Sequence, residues 1–166
     1  MRRAALAIPL LTLPVTIFGR GAAIASPPCE WFTRAEIGAA LDAEVREVKE
    51  RKNLVTDKPN GCSWKTGDLL LFAVVEANER ASAAEAQTTF AQTTMNAARL
   101  PGGRSAPIMP VSGIGDEAAN VGDVLYVRKG ALVFSLSVFD SNKTQTTTPS
   151  GFAKAKALVQ AAWNRT

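Results

Sequence analysis

Two groups of residues in this 166-residue chain have types and spacings that could do chemistry: the cysteines Cys29 and Cys62, and the run Gly113-Ile114-Gly115-Asp116-Glu117. Two thiols can form a disulfide, bind a metal as thiolates, or supply a nucleophile. Adjacent glycines can offer backbone amides to an anion, and neighbouring carboxylates can bind a cation or act as acid and base. Composition weighs against the catalytic readings, because the chain contains no histidine. That removes the usual general base, the commonest metal ligand and the only side chain that titrates near neutrality unperturbed. His-based triads and His-ligated zinc are excluded. Neither cysteine has a CxxC partner, and no SxxK or GxSxG pattern offers another nucleophile. The phosphate fingerprint would need a strand before the glycines, a helix after them and further glycine spacing. The expectation is therefore a protein that is not an enzyme, with no catalytic residues, no metal and no cofactor. The glycines then serve to turn the chain sharply into a strand, and the acids to cap exposed amides.

The N-terminus indicates where such a protein works. Arg2 and Arg3 precede an uncharged run from Ala4 to Phe18, and Ala23-Ile24-Ala25 follows. This is the layout of a secretory signal peptide. The run has 15 residues and carries Pro9 and Pro14, short of the roughly 20 apolar residues a spanning helix needs. Cleavage after Ala25 leaves residues 26–166 as a single domain. Ser26-Pro27-Pro28 before Cys29 is a poor lipidation site, which favours a periplasmic or extracellular protein, soluble after cleavage, without a lipid anchor or transmembrane segment. Residues 1–25 hold three bases and no acid, so 19 basic residues fall to 16 against 15 acidic ones. The densest basic cluster, Lys49-Glu50-Arg51-Lys52, is flanked by Glu44 and Glu47 and reads as a solvated face, so nucleic acid is not expected as a partner. A 46% hydrophobic and 20% charged composition excludes a disordered or collagen-like chain.

In an oxidising compartment an even cysteine count is most simply paired. A Cys29–Cys62 bond would close a loop of 34 residues, worth about 3–4 kcal/mol on loop entropy.

The elements that must position these residues follow from pattern. Thr33 and Glu36 have capping-box spacing, Phe32 and Ile37 that of a hydrophobic staple, and Ile37, Ala40 and Leu41 predict a helix to about Asp42. A weak strand over 44–54 precedes a hairpin, Cys62 to Lys65 and Asp68 to Ala77, the second strand reading as buried on both faces. Ser82 and Glu85 open a second helix to about Ala98, with Ala83, Ala86, Phe90 and Ala97 on or near one stripe. A short strand over Glu117–Asn120 leads to a second hairpin about Lys129-Gly130. Ser141 to Pro149 is a polar loop. A final helix to Asn164 turns Phe152, Ala155, Val159, Ala162 and Trp163 inward. The predicted fold class is α+β: an antiparallel sheet of about six strands, three helices and one disulfide.

Residues 100–115 form a connection rich in proline and glycine, of a length that is usually functional or disordered. Its Ile108, Met109 and Val111 either present a partner-binding surface or fold back over the sheet. The candidate contact residues are Ile108, Met109, Pro110, Gly113, Gly115, Asp116 and Glu117.

The order Cys29-x-x-x-Thr33-x-x-Glu36-Ile37-x-x-Ala40-Leu41, then Cys62-Ser63-Trp64, then Gly113-Ile114-Gly115-Asp116-Glu117-Ala118 resembles a family of small exported bacterial proteins of unknown function, many of them actinobacterial lipoproteins. The resemblance implies a compact α+β domain of the general Mog1/PsbP-like kind, with these cysteines bridged and no assigned enzymatic activity. The functional expectation is a non-catalytic binding or protein-interaction module of the cell envelope, its partner an unknown protein or small ligand. The alternative is a periplasmic inhibitor or immunity-type protein that plugs a hydrolase with the 100–115 loop.

Overall fold

Thr33 opens the first helix as its spacing predicts. Its hydroxyl accepts a hydrogen bond from the Glu36 amide, and the Glu36 carboxylate accepts one from the Thr33 amide at 2.8 Å. The computed structural model describes residues 27–67, 71–140 and 149–163. The signal-peptide segment, the polar loop after Ser141 and Asn164 lie outside the described residues.

Helix α1 (Arg34–Leu41) leads into β1 (Val45–Lys52), β2 (Pro59–Thr66) and β3 (Leu71–Glu79). Helix α2 (Ala83–Ala98) crosses to β4 (Ile108–Pro110), β5 (Glu117–Val121), β6 (Val124–Lys129) and β7 (Leu132–Asp140), and α3 (Pro149–Trp163) closes the fold. The strands form one antiparallel sheet in the order β1-β2-β3-β7-β6-β5-β4. It has seven strands, one more than expected. The additional strand is β4, which pairs Ile108 with Val121, Met109 with Asn120 and Pro110 with Ala119. Three residues that follow one proline and end on another show no periodicity, so only the partner strand reveals it.

One face of the sheet carries the core. Cys62, Trp64, Val75, Leu125, Val127, Phe134 and Leu136 meet Ile37 and Leu41 of α1 and Ala155, Leu158 and Val159 of α3. Phe32 and Ile37 both enter this cluster. Trp31 packs edge-on against Phe134 at 5.4 Å between centroids, and Phe32 against Trp64 at 6.0 Å. Cys29, in a short 3-10 turn before α1, is bonded to Cys62 on β2 across a Cα separation of 5.0 Å.

Helix α2 packs on the other face, chiefly against β4 to β7. That corrects the reading of β3 as buried on both sides: Ala73, Val75 and Ala77 are buried, Val74 is half-buried and Glu76 exposed. The stripe of α2 also differs. Ala86, Thr94 and Ala98 are buried and Phe90 is half-buried, whereas Ala83 is exposed. Thr94 tolerates burial because its hydroxyl donates to the carbonyls of Phe90 and Ala91, at 2.9 and 3.0 Å.

Candidate functional site

The glycine turn is built around Arg128. Gly115 has φ +58°, and a Cβ there would collide with the Arg128 carbonyl oxygen, so no other residue fits. The Asp116 amide donates to that same carbonyl at 2.8 Å. The Asp116 carboxylate then accepts from the Gly130 amide at 2.7 Å and from Arg128 Nη1 at 3.0 Å. Arg128 Nε donates to Glu117 Oε2 at 3.2 Å, and Gln87 Nε2, reaching over from α2, donates to Glu117 Oε1 at 3.3 Å. The Arg128 side chain is only 12% exposed. One guanidinium thus answers both carboxylates, and the turn, the β6–β7 hairpin and α2 are locked together.

Behind this turn lies an open cleft of about 480 Å³, lined by Gly113 to Asp116 with Lys129, Gln160 and Trp163. Lys129 Nζ stands 4.9 Å above the Trp163 ring, and Trp163 leans on Phe134 at 5.4 Å. An ammonium, a carboxamide, an indole and turn amides can hold a small polar molecule. Of the expected contact residues, Gly113, Gly115 and Asp116 line this cleft; Lys129 and Gln160 were not among them, and Trp163, expected to turn inward, packs on the core cluster and lines the cleft as well. These three come from a hairpin turn and a helix end distant in sequence, so no local motif announces them.

The 100–115 segment divides. Val111 folds back against the core cluster, while Ile108 and Met109 are 42% and 48% exposed and Pro110 is exposed as well. The segment is ordered against the end of α2, where the Ala106 amide donates to the Ala98 carbonyl at 2.7 Å. Met109 and Val111 direct their backbone toward β5, and the Val111 amide donates to the Ala118 carbonyl. Alternation therefore turns Ile108 and Pro110 to the open edge. Proline has no amide hydrogen to offer there, so the edge resists strand addition.

Among the described residues no group of three or more His, Cys, Asp or Glu is placed to hold a metal ion, and no helix is long and apolar enough to cross a membrane. No protein-family model matches the chain, and no curated protein matches it.

Proposed function

We propose that the protein is a non-catalytic binding module of the cell envelope that meets a partner through the 100–115 segment and the adjoining Gly113–Glu117 turn. The observation that carries this reading is the exposure of Ile108 and Met109 on an ordered edge strand. Apolar side chains held in water on a fixed backbone are costly unless a partner covers them. Further support comes from the disulfide, typical of exported proteins, and from the resemblance to small exported bacterial proteins. Arg128 holds the glycine turn rigid, so a partner would meet a preformed surface and lose little ordering entropy. The test is recovery of envelope proteins on the immobilised native chain and on Ile108→Ser/Met109→Ser. A specific partner retained by the first and lost by the second is expected; an identical set on both would overturn the reading.

A further inference from the structure

Leu54 and Val55 are 103% and 93% exposed, and no contact within the fold accounts for either. They occupy the tip of the β1–β2 hairpin, in a turn built to hold them out. The Asn53 side-chain oxygen accepts from the Val55 amide at 2.8 Å and the Thr56 amide at 3.1 Å. The Asn53 carbonyl accepts from the Asp57 amide, and the Asn53 amide donates to the Lys58 carbonyl, both at 2.9 Å. Asp57 takes a left-handed conformation at φ 54° and pairs with Lys52 at 3.5 Å. Asn and Asp are ordinary turn residues; a Leu-Val pair between them is not.

The strand register gathers other loops at the same end of the sheet. Lys52 lies opposite Pro59, Glu79 opposite Leu132, Lys129 opposite Leu132 and Glu117 opposite Arg128. The hairpin tip, the β3–α2 connection, the β6–β7 turn and the glycine turn therefore share one end, and Trp163 joins them across the cleft. On these loops Asp57, Asp116 and Glu117 are each bound to a base. Lys58, Arg80 and Lys129 carry no ion pair among the described residues, and neither do Glu79 and Glu85, whose carboxylate accepts the Ala81 amide in the β3–α2 connection, so three unmatched cations stand against two unmatched acids.

We propose that this end of the sheet docks on an anionic phospholipid surface, with Leu54 and Val55 inserted among the headgroups. The unmatched cations select negative lipid, and the Lys129–Trp163 pair supplies an amphipathic contact of the kind that favours the interface. A bilayer accepts any protruding apolar tip, whereas a protein would need a pocket cut to it. Docked this way, the glycine turn faces the headgroups while Ile108, which pairs with Val121 at the far end of β5, stays away from them, so a partner of the docked protein would meet the β4 side chains and not the turn.

The test is flotation of the processed chain, purified from an exporting host, with phosphatidylcholine vesicles containing about 30% phosphatidylglycerol, and with phosphatidylcholine alone. The native chain should bind the anionic vesicles. Leu54→Ser/Val55→Ser should bind about tenfold more weakly, and Lys58→Gln about fivefold more weakly. A Leu54→Trp variant should shift its fluorescence to the blue on binding. The tip side chains touch nothing, so an unchanged melting temperature verifies the fold. Equal partitioning of native and tip-substituted chains would overturn the proposal, as would absence of binding to anionic vesicles. A protein captured through the tip without vesicle binding would overturn it in favour of a protein pocket.

Discussion

The Arg128 guanidinium lies 3.0 Å from the Asp116 carboxylate, whose same oxygen accepts the Gly130 amide at 2.7 Å. The acid that seemed available for binding or catalysis is thereby bound into the join between the glycine turn and the β6–β7 hairpin. Replacing Arg128 with Met leaves two adjacent carboxylates without their shared cation and should cost about 1–3 kcal/mol. Asp116→Asn keeps an acceptor for Gly130 and should cost less. Urea denaturation of the two variants gives the ranking.

Two glycines of similar φ should respond differently to alanine. Gly130, at φ +56°, has open space where a Cβ would stand, so Gly130→Ala should cost only the left-handed strain of about 1–2 kcal/mol. Gly115→Ala adds a collision with the Arg128 backbone, which cannot move without breaking the β5–β6 ladder. Its expected loss is about 3 kcal/mol or more. Thermal unfolding compares them directly.

The Cys29–Cys62 bond ties the turn before α1 to β2 across a sequence separation of 33. Cys29→Ser/Cys62→Ser should lose about 2–4 kcal/mol and lower the melting temperature by about 10 °C. Alkylation before reduction should leave the native chain's mass unchanged.

Tyr126, the chain's one tyrosine, titrates above the free value of 10.0 because burial disfavours the phenolate and the Glu76 charge adds to that. The folded state holds this proton more tightly than the unfolded chain. The associated stability is fully present below the unfolded value and is lost as pH rises through the folded one. Phenolate absorbance should therefore appear later in the native protein than in urea, and Tyr126→Phe should flatten the fall in stability at high pH.

Much of the fold was legible in the chain because the signals were local. The Thr33–Glu36 capping box, the inward stripe of α3 and the two hairpins each depend on residues within a few positions of one another. β4 was not legible, since a strand of three residues exists only through its pairing with β5. The buried stripe of α2 differs from the expected one at both ends, with Ala83 exposed and Ala98 buried in place of Ala97, and Thr94 joins it because its hydroxyl is satisfied by the preceding turn. The exposed Leu54-Val55 tip passed unnoticed, since apolar residues after a strand resemble core until solvent is seen around them.

What the sequence determined alone was the class of molecule: no histidine chemistry, a paired-cysteine framework and an α+β pattern in which strand and helix periods alternate. Only the tertiary structure decided that Asp116 and Glu117 serve Arg128, that Lys129 and Trp163 share a cleft with the glycine turn, and that Leu54 and Val55 face water at the same end of the sheet. Composition and periodicity report a residue's near neighbours along the chain. Charge neutralisation and exposure depend on which distant segments arrive beside it, and antiparallel register sets that for the whole sheet at once.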